Sequence, residues 1–447
     1  MSVIFVNAGQ CGNQLGYCLL DALDAHSGSG EESCLDSFFR ESSVSGARPI
    51  ARAVCIDTEP KVVSECLWRS RKEAKWTYDA SNVIYRHGGA GNNWAMGYQM
   101  CSGDFLDVSL NCIRRELEFC DQPPLILTLH SVAGGTGSGL GTHMSESACD
   151  EFPDVMRMNI AITPYHFGEV VVQHYNSVLS LSKISSASHA VLAFENEVAQ
   201  ELCKKMRKIE RPTLGDINHT IASNLLPILL PKYSSSRASP SHLHDDVVSL
   251  CSHPTYRFLD VKTTPLTSQQ SVSFTFDSWF SLVSTLDKMH GRGTALEQRL
   301  SGPMPSSTSD SGGGGGCVRS IGSILTVRGS DAADFVTSSA DPLVVNQGVG
   351  GRSQRLFAAK NYASLLGRNA VQLYHSGHSV SGYQRSASLL SNSQTILPIL
   401  QRAASKASDL YRVGAYVHQY SCCGLEQEDF LTSFRSLGHI IDSYVNM

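Results

Sequence analysis

The chain has 447 residues, 42% of them hydrophobic and 17% charged, and a formal net charge of −5. That length supports two or three domains around a large core, and the acidic balance excludes nucleic acid as the main partner. Its 14 cysteines include no Cys-x-x-Cys pair, and no apolar run approaches a membrane span, which excludes a disulfide framework, a disulfide-linked partner and a membrane partner.

The first residues read as a strand, with no charged start and no long apolar stretch, so a soluble cytoplasmic protein is expected. Val3–Val6, Ala51–Ile56, Leu125–Leu129, Asn159–Ile162 and Ala190–Phe194 are short apolar runs separated by segments long enough for crossover helices. Such alternation predicts an α/β domain over residues 1–205, a doubly wound parallel sheet whose loops at the strand C-termini line a site. A connecting helix is expected within 206–235, starting near Leu214, with Ile217, Ile221 and Leu225 along one face. Pro227 lacks an N–H and should kink it or cut it short. Residues 236–390 read as a mixed α+β region. Inside it, 301–316 is a Pro/Ser/Gly tract ending in five glycines, a composition that predicts a disordered surface loop. The closing region, 391–447, carries Phe430, Phe434, Leu437, Ile441 and Tyr444 at helical spacing, a face expected to pack on its own domain.

The densest chemistry lies at Ser131–Gly141, where a buried strand empties into a turn with glycine at 134, 135, 137, 139 and 141. Glycine lets backbone approach a ligand closely, and a helix starting after the turn would aim its positive end at the same point. Phosphate is the natural guest. No Gly-Lys dipeptide occurs in the chain, which excludes a P-loop, and Gly137-Ser138-Gly139-Leu140-Gly141 has the wrong spacing for a dinucleotide fingerprint.

Ala133-Gly134-Gly135-Thr136-Gly137-Ser138-Gly139 resembles the signature loop of the tubulin family. Gly9-Gln10-Cys11-Gly12-Asn13-Gln14 is similar to its first phosphate loop, Asp57-Thr58-Glu59-Pro60 to its acidic loop, and Gly91-Asn92-Asn93-Trp94-Ala95 to the loop that follows. Asn196-Glu197, Asn218, Leu390-Ser391-Asn392 and Tyr416–Tyr420 continue the likeness, which covers nearly the whole chain. Gly168–Gln173, Ala133, Ile50–Val54, Gly424–Leu431 and the closing Ser443–Met447 look most like the delta class of the family. The sequence stops after its last predicted helix, without the long acidic tail of alpha and beta tubulins.

The resemblance implies a GTP-binding domain, a connecting core helix, an intermediate domain and a C-terminal helical hairpin, with GTP/GDP and Mg2+ as cofactors. It places Ser131, Ala133, Gly134, Gly135, Thr136, Gly137, Ser138 and Gly139 at phosphate, the two hydroxyls of Thr136 and Ser138 adding donors. Gln10 and Cys11 would approach phosphate and base, and Asn92 the terminal phosphate. Asn196 and Asn218 would read the guanine edge with amides that both donate and accept. Glu59 would hold Mg2+ through water, while Asp57 orients the loop. Leu214 stands where the family stacks an aromatic ring on guanine, and Gln173 replaces a ribose-loop carboxylate, with Glu169 just before it. Counting back from His253-Pro254 places Asp245 at the carboxylate that acts on a neighbour's nucleotide, or Asp246 after a one-residue slip. His242, His244 and His253 near these acids lack a closed metal-ligand set.

A GTP-binding cytoskeletal protein follows from the resemblance. Its implied place is the centriole and basal body, where it would form or stabilise triplet microtubules. The implied partners are epsilon-tubulin, alpha/beta-tubulin and centriolar proteins. Two other classes stand beside it: a scaffold that holds nucleotide without turnover, and a nicotinamide oxidoreductase, against which the loop spacing speaks. A general microtubule subunit is the alternative within the family.

Overall fold

The computed structural model describes residues 1–27, 36–42, 45–166, 168, 170–235, 237–266, 278–294, 318–337, 343–345, 354–357 and 371–447. The 301–316 tract and Glu169 lie outside them.

Twelve strands form one sheet. Its N-terminal half is parallel and runs, from the edge inward, Val83–Tyr85, Ala53–Asp57, Ser2–Ala8, Pro124–Ser131, Met156–Thr163, Ala190–Glu195. In chain order that is 3-2-1-4-5-6, the doubly wound order, and the expected strands lie in it, except that Ala51 pairs with Phe39 in a separate two-stranded ribbon. Side chains alternate across the sheet. Phe5, Leu127 and Ile160 bury against helix Gly9–Ser27 and the connecting helix Leu214–Leu229. Val6 and Ile126 bury on the other face, with Leu140 and Met144.

The sheet does not stop at the end of this domain. Phe258–Thr264 pairs with Ala190–Glu195 in parallel and with Arg385–Ser393 antiparallel, and Ser320–Gly329, Val371–Ser376 and two short strands extend it. The N-terminal domain and the intermediate region therefore share one hydrogen-bonded layer.

The connecting helix starts on a capping box: Thr213 Oγ1 accepts from Asp216 N at 3.3 Å, and Asp216 Oδ2 accepts from Thr213 N at 3.0 Å. It passes through Pro227 and ends at Leu229, so the break expected near the proline falls two residues later. A buried guanidinium closes its end. Arg328 Nη2 donates to the carbonyls of Pro227, Leu230 and Pro231 at 3.0, 2.8 and 3.1 Å. The Pro227 carbonyl, which Pro231 has no N–H to serve, and the two carbonyls just past the helix are satisfied by a side chain from the intermediate strand Ser320–Gly329.

Helices Leu397–Arg412 and Gln427–Val445 form the C-terminal hairpin. Phe430, Leu437 and Tyr444 are buried under it, with Phe434 and Ile441 packed beside them. The amphipathic face thus packs on the chain's own domain. Tyr444 fastens it: its hydroxyl accepts from Phe258 N at 3.0 Å and lies 2.8 Å from Asn392 Oδ1.

Candidate functional site

Strands Ser2–Ala8 and Pro124–Ser131 are neighbours whose following helices lie on opposite faces of the sheet. The crevice between their carboxyl ends is the topological switch point, where open α/β sheets bind ligands. Two glycine loops meet there. Gly9 has φ +71°, and a Cβ on it would sit 2.8 Å from Gly137 N. A Cβ on Gly12 would overlap the Leu129 carbonyl, one on Gly97 the Gly135 carbonyl, and one on Gly139 the Trp94 carbonyl. Much of the glycine content therefore serves backbone-to-backbone packing. Within the signature turn Gly134 keeps an open side, its nearest neighbour being Asn92 Oδ1 at 3.8 Å from a built Cβ.

The helix after the turn begins earlier than expected. Thr136–Leu140 forms a π-type turn that runs directly into Gly141–Glu151. Thr136 and Gly137 open this turn, whose first carbonyl acceptor is Gly135 for Gly139 N, so their amides are first-turn donors that no intrahelical carbonyl serves and that suit an anion. Ala133 N is taken by Ser131 Oγ at 3.2 Å. The two hydroxyls behave differently. Ser138 is buried and donates to the carbonyls of Gly134 and Gly135, so it stiffens the turn from within. Thr136 Oγ1 lies 2.5 Å from Thr58 Oγ1 and ties the signature turn to the acidic loop. Gln10 is exposed in the first turn of helix Gly9–Ser27, and Cys11 behind it is half-buried, with burial pushing its thiol up to about 12.

Asp57 and Glu59 divide two tasks. Asp57 is buried, and its Oδ1 accepts from Thr58 N at 2.7 Å and Glu59 N at 3.3 Å. Burial outweighs those bonds and raises its pKa to about 6. Glu59 is exposed at the cap of helix Pro60–Lys72, with Oε1 against Gly89 of the adjoining loop. One outward carboxylate and one inward one suit a magnesium ion that keeps most of its water. Asn92, exposed at φ +55°, stands across the crevice.

At the other end, Asn196 opens helix Asn196–Arg207 and Asn218 is buried in the connecting helix, which packs against it. Among the described residues neither side-chain amide has a protein partner. Leu214 is 56% exposed at the first position of its helix. Gln173 is buried and donates to the Tyr165 carbonyl at 3.0 Å, closing the loop that carries Gly168.

Three residues that motif reading passed over organise these loops. Asn13 Nδ2 donates to the carbonyls of Gly9 at 2.9 Å and Ile56 at 3.1 Å, joining the first loop to the end of the acidic strand. Asn176, fully buried, donates to the carbonyls of Asn92 at 2.9 Å and Ala133 at 2.8 Å. His130 lies beneath the signature turn, its Nδ1 2.9 Å from the Gly137 carbonyl and its Nε2 2.9 Å from Asn159. A signal for Asn13 was its place inside the first glycine loop. A buried histidine and a mid-helix asparagine carry none.

Burial holds the His130 pKa down to about 4, outweighing the contacts to the Gly137 carbonyl and Asn159 that favour the protonated ring, so the ring is neutral near pH 7. The unfolded chain protonates this histidine near its ordinary value of about 6.5. The stability it contributes is complete above that value and is lost as pH falls toward 4. Denaturant titrations at pH 7.5 and 5.0 should show lower stability at pH 5.0. In His130→Gln the difference should shrink by about 2 kcal/mol; an unchanged difference would contradict the assignment.

Asp245 and Asp246 have unlike surroundings. Asp246 is fully buried in an ion pair with Lys232. Asp245 is half-buried at the start of helix Leu243–Leu250, its Oδ2 accepting from His242 N at 3.1 Å and Ser241 Oγ at 3.3 Å. Of the two, only Asp245 reaches the surface. Among the described residues no group of three His, Cys, Asp or Glu side chains could hold a metal ion, the histidines here included, the twelve described cysteines are free thiols, and no helix is long and apolar enough to cross a membrane.

Comparison with known proteins agrees with this geometry. The profile of the Tubulin/FtsZ family, GTPase domain, matches residues 2–204. The human tubulin delta chain is 34% identical over the full length of both chains, and the mouse tubulin delta chain is 32% identical over 99% of each. The tubulin beta-6 chain of Gossypium hirsutum is 25% identical over 99% of this chain and 94% of its own. Spanning its delta relatives from end to end, with the switch-point crevice inside the matched domain, the chain belongs to the tubulin family of GTP-binding cytoskeletal proteins.

Proposed function

We propose that the chain binds GTP and Mg2+ in the switch-point crevice and acts as a delta-type tubulin at centrioles and basal bodies. There it forms or stabilises triplet microtubules, and so serves cilium and flagellum assembly. The observation that carries the nucleotide reading is the meeting of two glycine loops at the switch point, with asparagine amides at Asn196 and Asn218 that have no partner among the described residues. The full-length likeness to delta chains carries the cellular one.

In this reading the amides of Thr136 and Gly137, with the open side of Gly134, receive the phosphates. Gln10 and Cys11 line the approach, Asn92 faces the terminal phosphate, and Asn196 and Asn218 read guanine. Gln173 shapes the ribose loop. Glu59 holds the magnesium waters, and the bound ion neutralises phosphate charge. Asp245 completes the site of an adjacent subunit, so that turnover waits on assembly. Partners are other tubulins, epsilon and alpha/beta, and centriolar proteins.

Leu214 gives apolar contact with guanine but no ring. Stacking on an aromatic side chain is worth about 1–3 kcal/mol per base, and Leu214 is exposed with room for one. Leu214→Tyr should therefore raise GTP affinity about tenfold, measured by equilibrium titration; unchanged affinity would remove Leu214 from the base contact. The cellular reading is tested by tagging the chain in ciliated and non-ciliated cells and identifying what co-purifies. Centriolar proteins and epsilon-tubulin are expected. Recovery of alpha/beta-tubulin alone, in equal measure from both, would favour a general microtubule subunit.

A further inference from the structure

The Asn176 side chain makes four hydrogen bonds, and only three of them lie within the GTPase domain. Nδ2 serves the carbonyls of Asn92 and Ala133, one from each phosphate-facing loop. Oδ1 accepts from Trp94 N at 3.0 Å and from the Tyr420 hydroxyl at 2.6 Å. Two carbonyls on one side and two donors on the other leave the amide a single orientation. The bonds from Trp94 N and the Tyr420 hydroxyl are buried and the two to carbonyls part-buried, so losing the tyrosine donor leaves Oδ1 one bond short where water does not replace it.

Tyr420 belongs to the C-terminal layer. It sits fully buried on the short helix Val417–Ser421, its ring 5.3 Å from Phe430 of the outer helix and 5.6 Å from Tyr175. A second tie runs beside it. Asn93 Nδ2 donates to the Gln419 carbonyl at 3.0 Å, while its Oδ1 caps helix Trp94–Met100 from Ala95 N at 2.8 Å. The loop bearing Asn92 is thus held twice by the same short helix, once through Asn176 and once through Asn93.

We propose that Tyr420 is a positioning residue for the phosphate-facing loops, and that the C-terminal helical layer is a second input to the nucleotide site. Its hydroxyl fixes the Asn176 amide, and the amide fixes the spacing between the Asn92 and Ala133 loops. Whatever shifts the Val417–Ser421 helix changes that spacing, and by reciprocity phosphate occupancy changes the stability of that helix. The inference rests on the proposed nucleotide site.

The test compares GTP with GMP on the purified full chain. GMP shares the base and ribose but lacks the outer phosphates that the two loops face. Tyr420→Phe keeps the ring and removes the hydroxyl. GTP affinity should fall about tenfold while GMP affinity holds within about twofold. Tyr175→Phe is the control: it deletes a hydroxyl that donates to the Ala415 carbonyl at 3.0 Å in the same layer, and should leave both affinities unchanged. Should Tyr420→Phe fail to fold, hydrogen exchange on the wild-type chain gives the second reading, in which GTP, and not GMP, slows exchange at Val417–Ser421. Parallel loss of GTP and GMP affinity, no loss of either, or exchange indifferent to GTP would each overturn the proposal while leaving the nucleotide site standing. A folded wild-type chain that binds neither nucleotide would overturn the site and this inference together.

Discussion

Gly135→Val should lower GTP affinity by about 10- to 100-fold without unfolding the chain. Gly135 has an ordinary backbone, φ −88° and ψ −59°, so the cost is contact and not strain. A Cβ there would lie 2.7 Å from the Ala90 carbonyl oxygen and 2.7 Å from Asn93 N, both backbone atoms that cannot rotate away. The branched side chain would push the Asn92–Asn93 loop off the signature turn. Overpacking of this kind costs about 1–3 kcal/mol, and each 1.4 kcal/mol passed to the bound state is about tenfold in affinity. Circular dichroism and thermal melting should report a folded protein, and titration should report the loss. Binding within about threefold of wild type would show that the turn does not hold phosphate.

Asp245→Ala should leave the variant's own GTP binding intact and slow hydrolysis in the subunit it caps by about 10²–10⁴-fold. Asp245 uses one carboxylate oxygen to cap its helix, which fixes the side chain, and among the described residues the other has no protein partner, so it can orient or deprotonate a water. Asp246 cannot substitute, because it is sealed in with Lys232. Isolated monomer should hydrolyse GTP poorly if, as proposed, the carboxylate and the phosphates belong to different copies. Mixed assemblies of variant and wild-type chains, assayed by single turnover, check the effect. Unchanged turnover would assign Asp245 to helix capping alone and favour a nucleotide-holding scaffold.

The N-terminal sheet was legible because its buried parallel strands are continuous apolar runs, Leu125–Leu129 above all, and because glycine-dense turns follow them. The C-terminal face was legible for the same kind of reason, a helical repeat from Phe430 to Tyr444. Less could be read where the decisive contact is a single polar bond between distant segments. Asn176 lies in a serine-rich helix whose pattern says nothing of Asn92, Ala133 or Tyr420. The glycines misled in part: at 135 and 139 they allow backbone to meet backbone, a demand set by tertiary packing and invisible in spacing. Pro227 marked the end of the connecting helix only to within two residues: the backbone closes one more turn, Leu230 N to Leu226 O, and Arg328, a hundred positions on, caps the carbonyls beyond it. The pairing of Phe258 with Val191, which merges two expected layers into one sheet, has no local signal at all.

The most direct test of the central claim is equilibrium binding of GTP, ATP and NAD to the purified chain in the presence of Mg2+. Saturable binding of one GTP is predicted, with ATP and NAD at least about 100-fold weaker, because the amides of Asn196 and Asn218, on the proposed reading, pair with guanine and are left unpaired by other bases. A folded chain that binds no GTP, or that prefers NAD, would contradict the account.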